Sequence, residues 1–145
     1  MESQPSRLVP RLGGVLETSL YVADLERACA FYQHVFGLEA FFRDSRMCAL
    51  GVVPGQVLLL FAHGTTGSPA PVPGGFIPPH GAIGAAHLCF AIPAGELTAW
   101  EAHLARHGLD IESRIAWQRG STSLYFRDPD GNSLEVATPG LWPNF

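Results

Sequence analysis

The chain lacks the long apolar run that a membrane-spanning helix requires. Its longest clean apolar stretch, Val57 to Ala62, is far too short to cross a bilayer. There is no basic run, no aromatic stacking platform and no nucleic-acid motif, and the formal charge is −4. Nucleic acid and membrane are therefore not expected partners. Cysteine is scarce: Cys29, Cys48 and Cys89 are an odd number with no CxxC spacing. That pattern argues against a disulfide framework or a zinc knuckle, and for reduced, mostly buried thiols in a cytoplasmic protein. The first residues, Met-Glu-Ser-Gln-Pro-Ser-Arg, carry no apolar signal core.

What is present is enough for one compact unit. The 145 residues are 47% apolar and 15% charged, which favours a packed core over disorder. A strand is expected over Val15–Val22. Asp24 is placed as an N-cap for a helix in which Leu25, Ala28, Cys29, Tyr32, Val35 and Phe36 recur at helical spacing, and Gly37 is placed to end it. Strands are expected at Glu39–Arg43, Met47–Val53 and Gln56–Ala62. From His63 to Ala85, glycine and proline dominate, and the segment reads as linker and loop. The order then repeats. A strand over Ala86–Ile92 precedes a helix from Glu96 to His107 with Leu97, Trp100 and Leu104 on one face, then strands at Ile111–Trp117, Thr122–Arg127 and Ser133–Thr138. The expected fold class is α+β: two βαβββ modules, 14–63 and 85–138, joined by 64–84 and followed by a tail, 139–145. Their mixed sheets bury one face under helices and curl the other around a cavity.

Strand parity brings three ligand-type side chains to the cavity side. In the first strand Leu16, Thr18, Leu20 and Val22 take the core face, leaving Glu17, Ser19 and Tyr21 on the other. Around His87, the residues Leu88, Phe90 and Ile92 take the core face, leaving His87, Cys89 and Ala91. Glu135 is out of phase with Leu134 and Val136. Two carboxylates and one imidazole can hold a divalent ion with coordination positions left for substrate. Taken alone, the same residues also fit an exposed sheet face, a semi-buried histidine and an ion pair of Glu135 with Arg127 or Arg119.

Several stretches together resemble the vicinal oxygen chelate superfamily, which includes glyoxalases, extradiol dioxygenases, fosfomycin-resistance enzymes and bleomycin-binding proteins. They are Leu20-Tyr21-Val22-Ala23-Asp24-Leu25-Glu26-Arg27-Ala28 with Phe31-Tyr32, then Phe36-Gly37-Leu38, and Leu124 to Asn132 with Leu134-Glu135, spanning the turn Asp128-Pro129-Asp130-Gly131. The resemblance implies the glyoxalase/bleomycin resistance/dioxygenase fold, a homodimer, and a metal site at Glu17, His87 and Glu135. The implied cofactor is one divalent ion, Fe²⁺, Mn²⁺, Zn²⁺ or Ni²⁺. Glu17 stands where many members have His, and Leu59 stands where glyoxalase I has a carboxylate, so neither the dioxygenase nor the glyoxalase pattern is matched in full.

The function implied is a metal-dependent lyase, isomerase or ring-cleaving dioxygenase acting on a small oxygen-rich molecule. Glu135 could double as a general base, and Tyr125, in phase with Ser123, could donate to a substrate oxygen. Ser19, Tyr21, His63, His80, Trp117, Arg119 and Ser123 are candidates for substrate contact. Trp117, Phe61 and Phe76 could form an apolar wall, though core packing is the stronger expectation for Phe61. His103 and His107 read as surface residues, and the tail Leu141–Phe145 as a cover for the cavity or a subunit contact. The rival reading is a metal-free protein of the bleomycin-resistance type that binds an antibiotic in its groove.

Overall fold

A computed structural model describes residues 9–145. The first residues, which the sequence reads as carrying no apolar signal core, lie outside the described residues. The elements run β1 (Glu17–Val22), α1 (Leu25–Phe36), β2 (Glu39–Arg43), β3 (Met47–Gly51), β4 (Val57–Ala62), β5 (Ala70–Val72), β6 (Gly75–Ile77), β7 (His87–Ala91), α2 (Leu97–Arg106), β8 (Ser113–Ala116), β9 (Thr122–Arg127) and β10 (Ser133–Ala137). They form two four-stranded mixed sheets, ordered β1-β4-β3-β2 and β7-β10-β9-β8. In each, the first strand of the module runs parallel to the last, and the remaining pairs are antiparallel. This is the expected βαβββ order, twice.

Local chemistry sets the ends of α1. The Asp24 carboxylate accepts from Arg27 N, and Gly37 closes the helix at φ 67°, in the left-handed region where glycine is at home. The helix buries Ala28, Cys29, Tyr32 and Val35 against the sheets. Phe36 ends the helix at the seam between modules, with Tyr32, Phe90, Trp100 and Phe126 around its ring. Leu50, Leu58, Leu60, Leu124, Phe126 and Leu134 fill the same core.

The turn after β9 is the second tie. Buried Asp128 accepts from Tyr32 Oη at 2.8 Å, from Asp130 N and Asn132 N, and from Asn132 Nδ2. Asp130 Oδ1 accepts from Ala23 N at 2.8 Å, in the turn between β1 and α1. The two modules are thus joined through hydrogen bonds to one acidic turn as well as through aromatic packing. Burial and the Asp128 charge push the Tyr32 hydroxyl well above the usual tyrosine range.

Some expectations need correction. Glycine and proline did not leave the linker structureless: β5 and β6 form a small ribbon detached from both sheets. Pro73-Gly74 supplies its turn, with Gly74 at φ 90°. Leu16 is 59% exposed rather than in the core, because β1 begins one residue later and the chain is leaving the sheet edge there. The second helix starts at Leu97, after a short 3₁₀ turn at Ala94–Glu96, and β3 and β8 are shorter than expected. His103 is not a free surface residue. Its Nε2 donates to Val35 O at 2.7 Å, tying α2 to α1.

Tyr32→Phe tests the tie. It removes one donor from a buried carboxylate and should cost about 1–2 kcal/mol of stability, read as a lower melting temperature with the sheet spectrum unchanged. An unchanged melting temperature would show that the Asp128 turn does not hold the modules together.

Candidate metal centre

The wall on the second sheet is built by register. Glu135 on β10 lies between Tyr125 on β9 and Cys89 on β7, and His87 lies opposite Ser133. These side chains share the face turned away from the helices. Glu135 is only 3% exposed, yet among the described residues its Oε2 has no hydrogen-bond partner. Its Oε1 lies 3.2 Å from His87 Nε2. The His87 and Tyr125 rings are nearly parallel, with centroids 6.2 Å apart.

The tautomer of His87 follows from its other nitrogen. Nδ1 lies 2.9 Å from Ser133 O, and a carbonyl can only accept, so Nδ1 is the donor. In a neutral imidazole, Nε2 then presents a lone pair to the lone pairs of Glu135 Oε1. Two acceptors at that distance repel unless a cation lies with them, either a second proton on the ring or a metal ion. A metal-bound histidine commonly donates its other ring N–H to a carbonyl, as His87 does here. The buried, unpartnered Glu135 Oε2 is a further donor for an ion. The pair fits a hard or borderline divalent metal.

Glu17 lies elsewhere in a single chain. It lines a cavity of about 720 Å³ on the concave face of the first sheet, with Ser19, Tyr21, Phe61, Arg46 and His80 among its neighbours. Among the described residues, no three His, Cys, Asp or Glu side chains of one chain gather closely enough to hold a metal. His87 and Glu135 therefore meet, and Glu17 does not join them within the chain.

The other candidates divide between the two walls. Ser19, Tyr21 and His80 line the first cavity, and Tyr21 Oη lies 2.6 Å from His80 Nδ1. Phe61, expected in the core, is buried but on the cavity side, beneath Tyr21, His80 and Arg46. On the second sheet, Trp117 Nε1 donates to Ser123 Oγ at 2.8 Å. His63 is exposed and is not among the side chains lining the cavity. Arg119 reaches the tail, donating to Leu141 O. The tail turns back on itself through Gly140 N to Phe145 O, leaving Trp142 exposed. Glu135 pairs with neither Arg127 nor Arg119, and Arg127 is held by Glu112.

One cavity residue escaped the sequence reading, and one thiol differs from the other two. Arg46 belongs to the cavity, and only the stacking of its guanidinium over Phe61 reveals this. Cys89 is exposed beside Glu135, whereas Cys29 and Cys48 are buried. Burial first and the Glu135 charge second push the Cys89 thiol up to about 12. The same two causes raise Tyr125, so its hydroxyl keeps its proton at neutral pH. In metal-free protein, Cys89 should react with iodoacetamide about tenfold or more slowly than a free thiol at pH 8, and Glu135→Gln should speed it. Equal rates in the two proteins, followed by mass spectrometry, would contradict the placement of that charge.

The description Glyoxalase/Bleomycin resistance protein/Dioxygenase superfamily covers the family model that matches residues 14–136. Biphenyl-2,3-diol 1,2-dioxygenase 3 of Rhodococcus globerulus is 32% identical over 133 residues, covering 89% of this chain and 63% of that protein. The chain thus spans less than two thirds of that relative's length. Metallothiol transferase FosB of Shouchella clausii is 29% identical, with 90% and 83% covered. Among solved structures, lactoylglutathione lyase from Agrobacterium tumefaciens superposes with a TM-score of 0.83 at 35% identity, covering 92% of this chain and 99% of that one. These three relatives are named as enzymes of three different reactions on one scaffold. The match over residues 14–136 and the paired βαβββ sheets show that the chain belongs to the Glyoxalase/Bleomycin resistance protein/Dioxygenase superfamily.

Proposed function

We propose that the protein is a divalent-metal-dependent enzyme acting on a small oxygen-rich molecule, by lyase, isomerase or ring-cleaving dioxygenase chemistry. The observation that carries this reading is the 3.2 Å approach of His87 Nε2 to Glu135 Oε1, with His87 Nδ1 on Ser133 O, beside a buried carboxylate oxygen that has no hydrogen-bond partner among the described residues. His87 and Glu135 would supply two ligands. The third would be Glu17 of a second copy of this chain.

The open faces of the two sheets support that pairing. In one chain the concave side of β7 leaves His87, Cys89 and Ala91 exposed, and Phe41, Phe42 and Trp117 are exposed around the cavity rims. A two-fold dimer laying the first sheet of one copy over the second sheet of the other would form two equal cups and cover these residues. Each cup would place a Glu17 opposite a His87–Glu135 pair.

When bound, such an ion would polarise an oxygen of the substrate and stabilise negative charge developing on it. The chain's own groups do the rest. Tyr125, beside Glu135 in the register, would donate its hydroxyl to that oxygen. If a Glu135 oxygen detached from the ion, it would take a proton from a carbon or hydroxyl of the substrate. The apolar floor of the cavity, Val57, Leu59 and Phe61, excludes water from the organic part.

Elemental analysis of purified protein, after incubation with Mn²⁺, Fe²⁺, Ni²⁺ or Zn²⁺ and removal of excess, tests the proposal. About one ion per chain is expected, with a raised melting temperature, both lost in Glu135→Ala and in His87→Ala. No uptake of any of the four ions would overturn the enzyme reading and leave metal-free binding of a small molecule or antibiotic as the account of the cavity.

A further inference from the structure

The cavity on the first sheet has two chemically different ends. Three cross-strand rows pave its floor. Glu17 pairs with Val57, Ser19 with Leu59 and Ala49, and Tyr21 with Phe61 and Met47. Glu17 and Tyr21 are four residues apart on one strand, which separates the two ends by about 13 Å. The middle row is uncharged. Arg46 and His80 stand at the Tyr21 end.

That end is held in place from several sides. Asp44 Oδ1 accepts from Arg46 N and Met47 N, which shapes the turn into β3. The Arg46 guanidinium lies 5.4 Å from the Phe61 ring centroid, and its Nε donates to Thr65 O. Its terminal nitrogens have no carboxylate partner among the described residues. His80 comes from the long linker, yet it is fixed by hydrogen bonds in both directions with buried Thr66, by Tyr21 and by the Phe61 edge.

The Tyr21–His80 pair always has a donor to spare. A phenol and a neutral imidazole own two protons between them, one O–H and one N–H, and their mutual hydrogen bond uses one. If Tyr21 donates to Nδ1, the Nε2–H of His80 is free. If Nδ1–H donates to Tyr21, the phenol O–H is free. Tyr21, His80 and a guanidinium with no carboxylate partner among the described residues line the same apolar cavity, so a spare donor and a cation belong to one end of it. Such an arrangement is complementary to an anion, and the guanidinium suits a planar carboxylate best.

We infer that the Arg46–Tyr21–His80 end is a recognition site for a carboxylate on the substrate, so that the substrate is an elongated apolar or aromatic acid whose oxygen-donor head lies near Glu17. The site gives substrate specificity rather than chemistry. The inference deepens the proposed function and rests on it for the head group only.

Titration calorimetry with 2-naphthoate and its uncharged counterpart 2-naphthamide tests the acid end without turnover. The wild-type protein should bind the acid about tenfold more tightly than the amide. Arg46→Gln should remove that preference, and Arg46→Lys should restore part of it. The double variant Tyr21→Phe, His80→Ala should weaken the acid several-fold while leaving the amide less affected. Circular dichroism checks that each variant folds. In protein treated with a chelator to strip any metal, the preference for 2-naphthoate over 2-naphthamide should persist, so loss of the metal reading and loss of this one give different results. Equal affinity for acid and amide, no binding of either, or an unchanged preference in Arg46→Gln would overturn the inference.

Discussion

A buried carboxylate at the seam between modules organises the molecule. Asp128 accepts from the Tyr32 hydroxyl of α1 and from three nitrogens of its own turn. Each of those bonds has a charged acceptor, which makes it stronger than a neutral one. Neighbouring Asp130 grips the turn that leads into α1. The helix of the first module is thereby fixed on the second, and β10 leaves this turn with its phase already set. That phase puts Leu134 and Val136 into the core and Glu135 on the opposite face, with one oxygen 3.2 Å from His87. Stability and site geometry therefore depend on the same few residues.

The same joining leaves both concave faces uncovered. Because the modules meet on their helix-covered side, the cavity of the first sheet and the His87–Glu135 wall of the second are separate surfaces of one chain. In the proposed arrangement, a second copy would bring them face to face as one cup. The exposed Phe41, Phe42 and Trp117, costly in water for an isolated chain, fit such an assembly. On this account, oligomerisation completes the chemistry rather than merely adding stability.

Much of this was legible in the residues. Asp24 and Gly37 marked both ends of α1, the turn Asp128 to Asn132 marked the last hairpin, and period-two alternation assigned a face to every proposed ligand. The remainder depended on tertiary placement. Alternation says which face a side chain takes and nothing about which sheet lies across from it, so the separation of Glu17 from His87 and Glu135 was invisible. Phe61 read as core because it is large and apolar, yet it floors the cavity under three polar side chains. Arg46 gave no signal because it follows a turn rather than sitting in strand phase. His80 was a candidate for substrate contact, but nothing in a Gly/Pro-rich sequence shows that Thr66 and Tyr21 pin its loop.

The central claim, that two chains share each metal centre, can be tested by mixing variants. Glu17→Ala and Glu135→Ala chains carrying different affinity tags would be refolded together and dimers bearing both tags isolated. In a shared arrangement, one of the two cups in each mixed dimer keeps Glu17, His87 and Glu135 intact. About one metal ion per mixed dimer is then expected, where either variant alone binds little. A mixed dimer that binds no more metal than its parents, or a failure of the two chains to associate at all, would contradict the account.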